Sequence, residues 1–464
     1  MDVKIVPGRL NGTVNAIPSK SQAHRALICA ALADKPTRIV CGSDSDDINA
    51  TVACLSALGA TIAREGDSYN VYPLSREKNN AAASRSGGAK DASDEITTKD
   101  GNDSDIHLHA DDNAFTILPC AESGSTFRFL LPIAGALGRN AAFMLKGRLP
   151  DRPLSPLYEA LINHGCKLSP PGASPFYASG QLTSGCYTLD ASVSSQFVSG
   201  LLFALPILDG DSEIRLTGRA ESFPYIEMTL AMLDKFHIKA YLHDMVFSIA
   251  GRQVYCSPGE ARVEGDWSNA AFWLCAGAIN TEIANTTNSA GNIACAGLDI
   301  MSRQGDRAIL DILTRFGARC TYGGDTAIVS GGKITGIEID VRDIPDLAPI
   351  LAVVAAVAEG TTVIKNAGRL RAKESDRLSS VTGLLRGLGA DITEKENGMI
   401  IHGGVALTGG QVFSRGDHRI AMAAAIAATV CAAPVIIRDA EAVNKSYPGF
   451  FDDFRSLGGK YQII

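Results

Sequence analysis

A sixfold recurrence of one pattern constrains this chain more than any other feature. Six times, a Ser or Asp among other polar residues opens an apolar, alanine-rich run. The runs are SKSQAHRALICAAL from Ser19, ESGSTFRFLLPIAGAL from Glu122, SSQFVSGLLFALPIL from Ser194, GDWSNAAFWLCAGAI from Gly265, IPDLAPILAVVAAVA from Ile344 and GDHRIAMAAAIAATV from Gly416. A polar opener supplies an acceptor for the free N–H groups of a first helical turn. Runs of about 12–15 residues that are apolar nearly all round predict helices buried on every side rather than lying on a surface. About 40–50 residues after each opener comes a second signature, a helix ending in a stop: LSALGATI, LINHGCKL, LDKFHIKA, LTRFGARC, LRGLGADI and FRSLGGKY. Gly59, Gly165, Gly317, Gly389 and Gly458 stand where a left-handed C-cap is needed, and His237 holds that place in the third copy.

The openers Ser123, Ser195, Asp266, Asp346 and Asp417 are about 70–80 residues apart, whereas the gap from Ser21 to Ser123 is about 30 residues longer. The excess falls at 75–105, a segment with almost no large apolar residue. Such a composition cannot offset its ordering entropy and reads as a disordered insertion without a site. The chain is therefore expected to be α/β (α+β), with six units of two helices each and intervening strands such as YTLDAS, IEIDVR and APVIIRDA. Ser opens the first three units and Asp the last three, which suggests two pseudo-symmetric domains of three units.

Composition narrows the function. With 43 basic and 50 acidic residues the net charge is −7, which argues against a nucleic-acid surface. The 46% apolar content is enough for a large core. No charged-then-apolar leader and no apolar stretch of membrane-spanning length is read, and a cytoplasmic location is expected. Eleven scattered Cys residues without a CxxC pair, and eight His without metal-ligand spacing, point to reduced thiols and no metal site.

An acidic total still leaves room for a basic pocket. Lys20 and Arg25 sit beside a helix start, where cations oppose the helix dipole. Arg128 repeats the conflict in the second unit, and His418 with Arg419 repeats it in the sixth. A bound anion between free N–H groups and cations would resolve it. In RLRAKESDRL, a helix from about Glu374 would set Lys373 and Arg377 four residues apart with Glu374 between them as a candidate proton carrier. Asp346 caps a buried helix on this reading, with a second role as general base open to it. Arg148, Arg152 and Lys445 flank turns in GRLPDRP and NKSYP.

In combination and in order, PSKSQAHRAL, ESGSTFRF, RLPDRP, SVSSQF, ESFPYIE, VEGDWSNAAF, QGDR, IPDLAP, RAKESDRL, GDHRIAM and NKSYPGFF resemble the family of 5-enolpyruvylshikimate-3-phosphate synthases, the 3-phosphoshikimate 1-carboxyvinyltransferases. The resemblance covers nearly the whole chain apart from 75–105. It implies an inside-out α/β barrel arrangement of two domains, each three βαβαββ-type units, with residues 1–18 and 264–464 in one and 19–263 in the other. It also implies transfer of the enolpyruvyl group of phosphoenolpyruvate to the 5-hydroxyl of shikimate 3-phosphate, with release of phosphate, by addition and elimination. That step belongs to the shikimate route to chorismate and the aromatic amino acids, needs no metal or organic cofactor, and is carried out by enzymes that are usually monomers. No nucleic acid or membrane partner is expected.

Carried over position by position, the resemblance gives Lys20, Ser21, Arg25, Ser194, Ser195, Gln196, Ser222, Tyr225, Asp346 and Lys373 to shikimate 3-phosphate. It gives Lys20, Gly124, Arg128, Arg152, Gln196, Arg377, Arg419 and Lys445 to phosphoenolpyruvate. Asp346 would accept the 5-hydroxyl proton, Glu374 would serve the methylene carbon, and Lys20 would touch both substrates. Two positions depart from the family pattern. Glu122-Ser123-Gly124-Ser125 stands where many relatives have Asn-Ala-Gly-Thr, and Arg369 stands where some have Asn, so no contact is carried over to Arg369. The alternatives are the sister transferase acting on UDP-N-acetylglucosamine, which carries a Lys-Asn pair near its start where this chain has Ser19-Lys20-Ser21, and a non-catalytic ligand-binding paralogue, which would lack Lys20, Asp346 or Glu374.

Overall fold

A computed structural model of the chain describes residues 1–74, 115–218, 221–280 and 292–464; the 75–105 insertion lies outside them. Six four-stranded sheets share one pairing pattern. In the unit that starts at Cys186–Asp190, that strand leads through the Ser195–Ala204 helix to Ser212–Thr217, running parallel beside it. The chain then passes through the Phe223–Lys235 helix into the hairpin Tyr241–His243 and Val246–Ile249, whose second strand pairs antiparallel with Ser212–Thr217.

The two kinds of helix differ in how they are buried. Every residue of Trp267–Ile279 and of His418–Ala428 is buried, as their all-round apolar sequences require. Ile309–Phe316 buries only Ile309, Ile312, Leu313 and Phe316, one stripe at helical spacing. The inner helices of each half pack on one another, with the sheets outside them. One apolar core joins Val3, Ile5, Leu10 and Val14 to residues from Trp267 to Leu457. A second runs from Ala23 to Val263.

Strand exchange ties the halves together. Gly12–Asn15 runs parallel to Asn292–Ala296, and Val3–Val6 lies between Val435–Arg438 and Lys460–Ile463. In return, Glu260–Arg262 completes the sheet of Thr37–Val40. The two crossing segments touch just beyond these strands, at a bridge between Pro18 and Gly265.

The stops follow the pattern closely. Gly59, Gly165, Gly317, Gly389 and Gly458 have φ from 90° to 111°, and His237 takes φ 60° in the sixth place. Two expectations are corrected. Asp346 does not cap the helix it precedes: it lies in the 3-10 turn Pro345–Leu347, the helix starts at Ala348, and the capping position Leu347 makes no side-chain bond. A Pro at 345 favours this tight turn, and the Asp346 carboxylate is drawn to cations instead. The RLRAKESDRL segment is not helical from Glu374. Gly368–Ala372 is a 3-10 turn, Lys373 is extended, and the helix starts at Arg377 with Asp376 accepting from Ser379 N. The ESD tripeptide supplies a better cap than the lysine three residues earlier.

Candidate active site

The N-terminal ends of all six inner helices open onto one cavity of about 400 Å³. Ser19, Ser123, Ser194, Asp266 and Asp417 cap five of them through side-chain oxygens. The sixth presents Asp346. Helix N-termini gather partial positive charge and unpaired N–H groups, so six of them facing one space favour an anion before any side chain is counted.

Around that space lie Lys20, Ser21, Arg25, Gly124, Arg128, Arg152, Ser194, Ser195, Gln196, Ser222, Tyr225, Asp346, Lys373, Glu374, Arg377 and Arg419, every one of them singled out from the sequence. Lys445 and Arg148 do not line it. Lys445 reaches instead to the Glu122 carboxylate and to Gly416 O at 3.2 Å, and Arg148 is exposed.

One wall is a carboxylate held by cations. Asp346 Oδ1 meets Arg377 Nη1 at 2.8 Å and Lys373 Nζ at 3.6 Å, while Oδ2 meets Arg419 Nη2 and the Tyr225 hydroxyl, each at 3.1 Å. Burial works to raise the Asp346 pKa, but Arg419, Lys373 and Arg377 outweigh it and hold the group well below the usual carboxylate range. Burial also lowers the Lys373 ammonium to about 8, against the pull of Asp346. Arg377 is nearly closed off from solvent. It gives Nε to Asp417 at 2.8 Å and Nη2 to Glu374 at 2.7 Å besides its bond to Asp346, so it organises three carboxylates at once. Glu374 is further approached by Arg152 at 3.7 Å. Burial opposes its ionisation, yet Arg377 and Arg152 keep it well below its ordinary value.

The opposite wall has cations whose charges are less answered. Arg25 is buried and donates to Thr229 Oγ1 at 2.8 Å, Ser21 O at 2.5 Å and Tyr225 O at 2.8 Å, all neutral acceptors. Burial lowers it to about 10. Arg128 donates to Gln196 Oε1 at 3.4 Å and Pro153 O at 3.0 Å, and its buried Nε has no partner. Gly124 lies against both Arg128 and Arg152: an added Cβ would come within 2.7 Å of one guanidinium and 2.9 Å of the other. Gln196 Nε2 bonds Ser125 Oγ at 3.0 Å, and Lys20 Nζ pairs with Asp47 at 2.7 Å.

Several lining residues carried no assignment from the sequence. Asp47, the partner of Lys20, sits in the acidic run SDSDDIN, which offers no signal of its own. Asp306 belongs to QGDR, a motif recognised without a role. Arg369 does reach the site: it pairs with Glu221 and donates to Ser222 Oγ at 2.6 Å. Among the described residues no group of three or more His, Cys, Asp or Glu could hold a metal ion.

The arrangement suits two small molecules carrying phosphate and carboxylate groups, with a carboxylate base and a second carboxyl within one enclosed space. Known proteins agree with the geometry. The family model of EPSP synthase (3-phosphoshikimate 1-carboxyvinyltransferase) matches residues 5–89 and 88–454. A 3-phosphoshikimate 1-carboxyvinyltransferase of Clostridium kluyveri is 42% identical over 463 residues, covering 99% of this chain and 97% of that one. One from Clostridium beijerinckii is 41% identical over 466 residues, covering 99% and 98%. In fold, the EPSP synthase of Acinetobacter baumannii superposes with a TM-score of 0.75 at 23% identity, over 100% of both chains. The enolpyruvyl transferase NikO of Streptomyces tendae gives 0.72 at 17% identity, covering 99% and 98%. Sixfold repeat, exchanged strands, cation-lined cavity and full-length identity together make this chain a member of the EPSP synthase (3-phosphoshikimate 1-carboxyvinyltransferase) family.

Proposed function

We propose that the cavity transfers the enolpyruvyl group of phosphoenolpyruvate to the 5-hydroxyl of shikimate 3-phosphate and releases phosphate. The observation that carries this reading is the Asp346 carboxylate, ionised by Arg377, Arg419 and Lys373 and facing a wall of cations with few anionic partners.

Shikimate 3-phosphate binds with its phosphate toward Arg25, Ser194, Ser195 and Ser222, and its hydroxyls toward Asp346 and Lys373. Phosphoenolpyruvate lies between Arg128, Arg152, Arg377 and Arg419, over Gly124, with Lys20 and Gln196 touching both. Asp346 takes the proton of the 5-hydroxyl while that oxygen forms a bond to the central carbon of phosphoenolpyruvate. Glu374 gives a proton to the methylene carbon, which becomes a methyl group in a tetrahedral intermediate. Phosphate then departs, taking the proton from Asp346, and Glu374 recovers a proton from the methyl group as the double bond reforms.

Glu374 must be protonated at the first step. The anionic groups of phosphoenolpyruvate compete for Arg152 and Arg377, and loosening those two cations returns Glu374 toward ordinary acidity. Enclosure by the two halves, placed at residues 19–263 and at 1–18 with 264–464, excludes water that would hydrolyse the substrate. The same reading makes the protein a cytoplasmic monomer. Lys445 comes to phosphoenolpyruvate only by leaving Glu122.

Mixing the purified protein with both substrates and following phosphate tests the proposal. Release that requires shikimate 3-phosphate is expected; release with UDP-N-acetylglucosamine in its place would overturn it.

A further inference from the structure

A single hydroxyl lies between two carboxyl groups at the cavity floor. Tyr225 Oη is 3.1 Å from Asp346 Oδ2 and 3.4 Å from Asp306 Oδ2. A phenol has one proton and can donate to one of them. The second contact is attractive only if that carboxyl is itself protonated and donates to the phenol oxygen. Charge decides which one holds the proton. Asp346 touches Lys373, Arg377 and Arg419. Asp306 is 3% exposed, its Oδ1 has no hydrogen-bond partner, and the groups that act on it most are Asp346, the Arg419 cation, the Ser268 hydroxyl and Asp266, with Tyr225 beside it.

We propose that Asp306 is a positioning residue for the transfer reaction: it holds a proton, donates it to Tyr225 Oη, and so keeps the Tyr225 proton directed at Asp346. The inference rests on Asp346 being the base. While Asp306 is neutral, the phenol steadies an ionised Asp346 and no second anion faces the substrates. Once Asp306 ionises, the phenol is drawn away from Asp346, and two carboxylates confront two anionic substrates. Burial, with the nearby Asp346 charge, raises Asp306 to about 7, which centres that loss near neutrality.

The test combines a pH profile with infrared spectroscopy on the intact protein. In wild type, kcat/KM for shikimate 3-phosphate is expected to fall on the alkaline side of neutrality. Asp306→Asn keeps a donor toward Tyr225 at every pH and should lack the fall near 7, leaving only the later one as Lys373, lowered to about 8, gives up its proton. Tyr225→Phe cuts the link and should make the fall near 7 shallower, keeping only the part due to the charge of an ionised Asp306. Asp306→Ala, without a donor, should lose about tenfold at neutral pH, the worth of one good hydrogen bond, and Asp306→Asn should restore most of it. Independently of turnover, wild type at neutral pH should show the carbonyl band of a protonated carboxyl that is missing from Asp306→Asn. A wild-type profile flat above neutrality, an alkaline limb unchanged in both variants, or no such band overturns the proposal. Failure of wild type to release phosphate at any pH, with the band present, sinks the reading of the reaction and leaves the proton on Asp306 standing.

Discussion

Asp346 illustrates how far single residues could be read. Its place in IPDLAP marked it as a helix cap with a possible second role. The structure removes the first, because three cations hold its carboxylate more strongly than a backbone N–H would, and the proposed reaction uses the second. Asp346→Ala removes the proton acceptor but adds free positive charge. We expect kcat to fall by roughly 10²–10⁴-fold, the usual worth of a positioned base, while both anions still bind by calorimetry. Loss of binding with kcat preserved would remove Asp346 as the base. Glu122 makes the converse case. The substitution was visible in the sequence, but its grip on Lys445 was not, since 323 residues separate the two. With Glu122 40% exposed, the pair is worth at most about 1 kcal/mol, so Glu122→Gln should lower KM for phosphoenolpyruvate by up to about fivefold and leave kcat nearly unchanged. An unchanged or higher KM would mean that Lys445 does not serve that substrate.

At the level of elements the sequence was most informative where local chemistry decides the outcome. Polar caps, all-round apolar runs and glycine stops recur because each inner helix needs the same start, the same burial and the same left-handed end. The 3-10 turns at Pro345–Leu347 and Gly368–Ala372 were not legible. They depend on where Asp346 and Arg377 find partners in other units, at Arg419, Tyr225 and Asp417, and spacing along the chain does not encode that. The stops also differ in a way that only packing reveals. Gly59 and Gly317 have similar φ, 111° and 106°, but a Cβ at 59 meets nothing within 4 Å, whereas one at 317 falls 2.3 Å from Lys333 O. Gly59→Ala should cost about 1–2 kcal/mol from backbone strain alone. Gly317→Ala should cost more, because a backbone carbonyl must move as well. Urea unfolding midpoints give the order, and a Gly59→Ala protein less stable than Gly317→Ala would contradict it.

For the whole molecule, the −7 net charge concealed how its parts titrate. His24 is fully buried, bonded through Nδ1 to Thr51 Oγ1 at 2.6 Å, and burial lowers its pKa to about 3. His418 is buried and lowered as well, by burial and then by Lys20 and Arg419. In an unfolded chain a histidine takes its proton near about 6.5. Between that value and the folded one, the unfolded state binds more protons. The contribution of His24 to stability is therefore complete above about 6.5 and drains away as the pH falls toward about 3. Asp306 acts in the opposite sense. Its raised pKa means that the folded chain keeps a proton the unfolded chain has released, so its contribution is complete below the ordinary carboxyl value of 3.8 and is lost as pH rises through about 7. Each group changes the slope of stability with pH by up to about 1.4 kcal/mol per unit inside its own window. His24→Asn retains a polar partner for Thr51 without a group that titrates there. Its urea midpoint should fall less steeply than wild type between pH 6 and 4, approaching one proton fewer taken up on unfolding. Asp306→Asn should do the reverse between about pH 4 and 7: it removes a contribution that declines as pH rises, so its midpoint should climb more steeply with pH there than that of wild type. His24 lies beside Ala23 and Ala26 of one core and Asp306 beside Ala308 and Ile309 of the other, so the two effects should add in the double variant. An acid slope as steep in His24→Asn as in wild type would show that the buried imidazole is not what makes this protein sensitive to acid.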